Sequence, residues 1–204
     1  MQVLPVINCF DKNTFQERVV AGASLVGPEG WLHFDISDGE EVDTASVVDE
    51  EFLRLSHHSK REAHLMVKKE SIIPWIKTCI FERVLVNWQH LSPDVVSVAK
   101  ESGIDIGVVV GAKEKKIDIQ DRIMWVEVLA VPPGPSGGVF QEESLRLISF
   151  LKEKYPNVTI SIDGGVTPEV ARDAKQAGAD AVVSGSFIWN SSDHYAAFEA
   201  LQLI

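Results

Sequence analysis

Two histidines and two aspartates carry the most specific chemistry in this sequence. His33 and Asp35 stand two residues apart in the β-rich run Leu32-His33-Phe34-Asp35-Ile36. Residues i and i+2 of a strand point to the same face, so these two side chains can project together. His64 lies in a similar run, Ala63-His64-Leu65-Met66, and Asp163 ends another, ahead of Gly164-Gly165. Two imidazoles and two carboxylates brought together could hold one divalent cation. Mixed nitrogen and oxygen ligation suits Zn2+, Fe2+, Mn2+ or Co2+ better than Mg2+. Taken singly, each of these residues has a plainer reading as a hydrogen-bonded polar group at a strand end. Residue type alone leaves both readings open.

A second set of residues suits an anion. Asp163-Gly164-Gly165 precedes Thr167-Pro168, Gly185-Ser186 precedes Phe187-Ile188-Trp189, and Pro133-Gly134-Pro135-Ser136-Gly137-Gly138 is a third glycine-rich stretch. Glycine lets backbone N–H groups approach an anion closely. Turns use glycine in any case, so the weight rests on two such pairs in successive loops.

Positioning these groups requires a particular set of elements. β-rich runs occur at Val3–Asn8, Trp31–Ile36, Glu62–Met66, Arg83–Asn87, Asp105–Val110, Trp125–Val131, Val158–Ile162 and Asp180–Ser184. Helical periodicity fills most gaps. Glu142–Tyr155 places Leu145, Ile148, Phe150 and Leu151 at helical spacing, and Pro156 helps to end it. Thr167-Pro168-Glu169 reads as an N-cap, a first-turn proline and an acidic first turn, in a helix running to about Gly178. Pro93 and Gly103 bracket another helix, whereas Lys113–Gln120 is short and charged. Strands alternating with helices predict a parallel sheet. Eight such units in 204 residues predict a single (β/α)8 barrel domain over residues 1–204. The alternative, a doubly wound open sheet, usually has a glycine-rich turn after its first strand, where Cys9-Phe10-Asp11 stands here. In a (β/α)8 barrel the reactive groups lie at the C-terminal ends of the strands, and phosphate sites are often built from the loops after strands seven and eight.

Composition narrows the function. The net charge of −11 argues against nucleic acid as a partner. It leaves a phosphorylated metabolite open, since backbone N–H groups can hold a phosphate. No run approaches the length of a membrane span, and Met1-Gln2-Val3-Leu4-Pro5 lacks the features of a signal peptide, so a cytoplasmic protein without membrane attachment is expected. Cys9 and Cys79 make no metal or disulfide pattern and are expected to be reduced and mostly buried. His57, His58, His90 and His194 fall in helix or loop regions and are expected at the surface, with His90 placed to approach a substrate after the fourth strand. Trp75, Trp88, Trp125 and Trp189 are read as packing residues.

The motifs together resemble the ribulose-phosphate 3-epimerase family. Leu32-His33-Phe34-Asp35-Ile36-Ser37-Asp38-Gly39 is similar to its H-x-D-x-M-D-G signature, and His64-Leu65-Met66 to its H-L-M motif. Val131–Gly138 resembles V-N-P-G-F-G-G, Ile162–Glu169 resembles D-G-G-I-N-P-E, and Ala177-Gly178-Ala179-Asp180 through Gly185-Ser186 resembles the close of the barrel. The resemblance implies that His33, Asp35, His64 and Asp163 bind one catalytic divalent metal, Zn2+ or Fe2+ foremost, with Mn2+ or Co2+ as alternatives. It implies that Asp35 and Asp163 are the catalytic acid and base. Gly137, Gly138, Gly164, Gly165, Gly185 and Ser186 would hold the phosphate, and Met66 would lie against the developing charge. The implied reaction is inversion at C3 of a ketose phosphate through an enediolate, with D-ribulose 5-phosphate as leading substrate, and the resemblance suggests a homo-oligomer.

Several positions depart from the family pattern. Val6 follows Pro5 where a serine is usual, Ser37 and Leu129 replace methionines, and Glu40-Glu41-Val42-Asp43 replaces an aromatic, proline-containing segment. Ser136 is an added residue in the strand-six loop, Val139 stands for a common glutamine, and Gly111-Ala112-Lys113 replaces the N-P after strand five. These changes bear on substrate identity. Epimerisation of another ketose phosphate, or phosphosugar binding without turnover, are the other readings the sequence allows.

Overall fold

The computed structural model describes residues 1–56, 59–114, 117–119, 122–132 and 140–204. His57, His58, Lys115, Lys116 and the glycine-rich stretch 133–139 lie outside the described residues. Eight parallel strands follow one another around a closed barrel, in the order of the sequence. They are β1 (Gln2–Ile7), β2 (Trp31–Ser37), β3 (Lys60–Met66), β4 (Arg83–Asn87), β5 (Asp105–Gly111), β6 (Trp125–Leu129), β7 (Thr159–Asp163) and β8 (Ala181–Ser184). Helices intervene: α1 (Lys12–Val26), α2 (Glu50–Leu55), α3 (Lys69–Lys77), α4 (Pro93–Glu101), α5 (Glu143–Lys154), α6 (Pro168–Ala177), α7 (Ser186–Trp189) and α8 (His194–Gln202). No described residue between β5 and β6 is helical, in keeping with the short, charged composition there.

The chain forms two compact units, residues 6–106 and residues 1–5 with 107–204. In the first, strand parity is set by apolar residues. Leu32, Phe34 and Ile36 of β2 are buried, and Phe34 meets Phe15 of α1 and Phe81, with ring centroids 6.1 and 5.5 Å apart. The large apolar side chains of β2 thus pack on the helix layer, and His33 and Asp35 take the opposite face. Ladder register then lines up the strands. His33 pairs with Glu62, Asp35 with His64 and Ser37 with Met66, while Glu62 in turn pairs with Arg83 of β4. β3 begins two residues earlier than its composition suggests, because Lys60 and Arg61 pair with Trp31 and Leu32.

In the second unit, Val126, Val128, Ile160, Ile162, Val182 and Val183 are buried, and the intervening Glu127 of β6 and Ser161 of β7 are buried as well, so these strands are covered on both faces. β6 stops at Leu129, before Val131, as the Ala130 carbonyl accepts from the Gln141 N–H and the chain turns away. On α5 the buried residues are Ser144, Leu147, Ile148 and Leu151, whereas Phe150 is 46% exposed. The buried i, i+3, i+4, i+7 stripe runs through Ser144, Leu147, Ile148 and Leu151, so of the apolar residues at helical spacing Phe150 falls outside it. α6 follows its sequence signals closely. The Thr167 hydroxyl accepts from the Val170 N–H, Pro168 opens the helix, and Gly178 closes it at φ 108°.

Cys9 is buried and Cys79 is exposed, so only the first thiol meets its expected setting. Cys79 stands just past the end of α3 at φ 51°, where the chain turns outward before Ile80 and Phe81 re-enter the core.

Candidate active site

At the C-terminal end of β2, three potential ligands converge. His33 Nε2 lies 3.2 Å from Asp35 Oδ1, and His64 Nδ1 lies 3.6 Å from the same oxygen. One donor atom from each of the three falls within 4.8 Å of the others. Register brings this about, since Asp35 and His64 are ladder partners and His33 precedes Asp35 by one strand period. The donor set is two imidazole nitrogens and a carboxylate oxygen, which fits a borderline divalent cation.

Two of these side chains, Asp35 and His33, are anchored from behind. Asp35 Oδ2 accepts from Asn8 Nδ2 at 3.1 Å, and the Asn8 carbonyl accepts from Arg18 at 2.9 Å. Asn8 follows directly on β1, so it fixes one Asp35 oxygen while Oδ1 faces the histidines. Burial pushes the Asp35 carboxyl pKa up, but hydrogen bonds and charge from His33 and His64 outweigh it and hold the group well below the ordinary carboxylate range. Asp35 is therefore an anion at neutral pH. His33 is fully buried, and its Nδ1 lies 2.7 Å from Glu62 Oε1. Asn8 and Glu62 escaped the sequence reading. For Glu62 a signal existed, because it lies two residues before His64 and so shares its face.

Asp163 is the last residue of β7, at the strand end where sequence placed it. Its ladder partners are Leu129 and Val183, and its carbonyl accepts from the Ala130 N–H at 2.7 Å. Gly164 and Gly165 follow at φ 102° and 67°, conformations that favour glycine. A Cβ on Gly164 would sit 2.5 Å from Val131 Cγ2. Gly164→Ala is thus expected to cost about 2–4 kcal/mol, the sum of backbone strain and overpacking, read from the midpoint of urea unfolding. An unchanged midpoint would show that the loop relaxes freely. Gly185 caps the one-turn α7, and Ser186 is its first residue, exposed. Met66 ends β3, half-buried beside Ser37. Gly137 and Gly138 lie outside the described residues.

The acidic segment after β2 is partly neutralised. Asp38 accepts from the Glu40, Glu41 and Lys68 N–H groups, at 2.9, 3.1 and 2.8 Å. The Glu40 carboxylate pairs with the Lys68 ammonium, and Glu41 lies 3.9 Å from His90 Nε2. The negative charge of this segment is therefore partly offset by the Lys68 cation on the loop after β3. His90 is half-buried and engaged here.

A closed parallel barrel with histidine and carboxylate groups at its strand ends defines a class of barrel enzymes. The sequence matches the ribulose-phosphate 3 epimerase family over residues 5–189. It is 29% identical over 184 residues to the cytoplasmic isoform of ribulose-phosphate 3-epimerase of Oryza sativa subsp. japonica, covering 84% of this chain and 81% of that one. Ribulose-phosphate 3-epimerase of Aquifex aeolicus (strain VF5) is 31% identical over 191 residues, covering 84% and 82% of the two chains. Orotidine 5'-phosphate decarboxylase from Pyrococcus horikoshii OT3 shares the fold, with a TM-score of 0.65 at 15% identity over 98% of this chain and 97% of that one. The chain belongs to the ribulose-phosphate 3-epimerase family, and is an isomerase of that type.

Proposed function

We propose that this chain, acting as one barrel domain, inverts C3 of a phosphorylated ketose, converting D-ribulose 5-phosphate to D-xylulose 5-phosphate. The observation that carries the reading is the convergence of His33, Asp35 and His64 on one point at the C-terminal ends of β2 and β3. The names of the curated relatives supply the substrate.

In this reading one divalent ion, Zn2+ or Fe2+ foremost, is held by His33, Asp35, His64 and Asp163. Each offers a compatible donor. When bound, the ion supplies positive charge beside the oxygen that becomes negative as the C3 proton leaves. Asp35 and Asp163 work from opposite faces of the sugar, one taking the C3 proton and the other delivering a proton to the far side. Asp35 is suited to accept, being ionised and held by Asn8 through its second oxygen. Met66 lies against the developing charge. The backbone N–H groups of Gly164, Gly165, Gly185 and Ser186 grip the phosphate, so that C3 cannot drift from the two carboxylates; Gly137 and Gly138, expected to share this role, lie outside the described residues. No helix among the described residues is long and apolar enough to cross a membrane. The rice relative is a cytoplasmic isoform, and we assign the same compartment here, within the pentose phosphate pathway.

A panel of ketose phosphates tests the substrate. Ribulose 5-phosphate is expected to show a kcat/KM about 10-fold or more above that of its homologues, a difference typical of one group more or less in a shaped site. A faster hexulose phosphate would reassign the substrate while leaving the chemistry in place.

A further inference from the structure

The site has a polar row behind it that the proposed reaction does not use directly. Ladder register sets His33, Glu62 and Arg83 side by side on β2, β3 and β4. His33 and Glu62 are fully buried, and Arg83 is 6% exposed. Glu62 divides its two oxygens between its neighbours. Oε1 lies 2.7 Å from His33 Nδ1, and Oε2 accepts from Arg83 Nε at 2.6 Å. The Arg83 guanidinium in turn lies over the Trp31 ring, 4.0 Å from its centroid. A carboxylate in this position accepts hydrogen bonds and donates none. The Nδ1 facing it must then carry the imidazole proton. With a cation at the point shared by Asp35 and His64, Nδ1 keeps its proton and the other nitrogen, Nε2, presents a lone pair to that cation; without it, Nε2 can carry a second proton and donate to Asp35. That nitrogen is the one directed at Asp35 Oδ1, 3.2 Å away.

We propose that Glu62, clamped by Arg83, is a positioning residue that holds His33 as the Nδ1–H tautomer with Nε2 turned to the divalent cation. The inference rests on the metal reading of His33, Asp35 and His64 given above. Arg83 keeps Glu62 charged and its carboxylate plane fixed, and Trp31 fixes Arg83. A carboxylate behind a histidine ligand also raises the basicity of that ligand. The row explains why a fully buried acid and a fully buried imidazole occur together at this depth: neither has solvent to turn to, and each satisfies the other.

The test is Glu62→Gln in the full-length protein, with Glu62→Asp as a second variant that keeps the charge but shortens the reach. Zn2+ affinity of the metal-stripped protein is measured by competition with a chromophoric chelator. The His33 tautomer is read in the same metal-free protein by long-range 1H–15N NMR. A glutamine can donate from its amide to Nδ1 and so favours the other tautomer. Glu62→Gln is expected to weaken Zn2+ binding by about 10- to 100-fold and to shift the His33 signals away from the Nδ1–H pattern. Glu62→Asp should keep that pattern and lose less affinity. Wild-type affinity and an unchanged tautomer in a folded Glu62→Gln protein would overturn the inference and leave the metal reading intact. If Glu62→Gln does not fold, a wild-type His33 spectrum in which Nδ1 carries no proton would overturn it equally. A wild-type protein that binds no Zn2+ would instead sink the metal reading, and this inference with it.

Discussion

Asp163→Asn is expected to lower kcat by about 10³-fold or more, within the range that a positioned proton-transfer group contributes. The substitution keeps the shape of the side chain and removes its ability to take or give the C3 proton. Asp163 ends β7, and the hydrogen bond from the Ala130 N–H goes to its backbone carbonyl, which the substitution leaves in place. Circular dichroism of the variant should be that of the wild type, which separates loss of chemistry from loss of fold. Asp35→Asn should be at least as damaging, for a further reason. Its Oδ2 accepts from Asn8 and its Oδ1 faces both histidines, so an amide there loses charge and also misplaces a donor. In the proposed mechanism two carboxylates serve opposite faces, so loss of either should stop inversion. Turnover within 10-fold of the wild type in either variant would remove that aspartate from the chemistry.

Removing the metal is expected to abolish turnover to a similar degree, about 10²-fold or more, since a Lewis acid contributes several kcal/mol to stabilising a developing oxyanion. Treatment with a chelator followed by dialysis should give an inactive, folded protein. Zn2+, Fe2+, Mn2+ or Co2+ should restore activity where Mg2+ does not, because the donors are imidazole and carboxylate. His64→Ala should bind Zn2+ about 10²-fold or more weakly, its imidazole being one of the few ligands proposed. Histidine ligands bind as neutral imidazoles, so metal affinity should fall as the pH is lowered. Full activity in protein that is free of metal by elemental analysis would refute metal dependence.

Much of this arrangement can be read from the sequence because two strong local rules apply. Strand parity ties His33 to Asp35, and the apolar Leu32, Phe34 and Ile36 decide which face turns to the helices. Thr167, Pro168 and Gly178 announce α6 because capping uses the residues next to the helix ends. The pieces that escaped depend on non-local pairing. Glu62 gains its role only when ladder register sets it between His33 and Arg83, and register is invisible to a pattern read along one strand. Asn8 gains its role by facing a side chain 27 residues away. Cys79 departs from its expected burial because a turn carries it outward. The partners of the glutamates after β2, Lys68 and His90, come from later loops and are not legible in the segment itself.

The most direct measurement is proton exchange at C3. Metal-loaded protein is incubated with D-ribulose 5-phosphate in D2O and followed by NMR, with Asp163→Asn in parallel. Deuterium appearing at C3 together with D-xylulose 5-phosphate, and neither in the variant, is the expected result. No exchange by the metal-loaded wild-type protein, or exchange that persists undiminished in Asp163→Asn, would contradict two-aspartate epimerisation of this substrate.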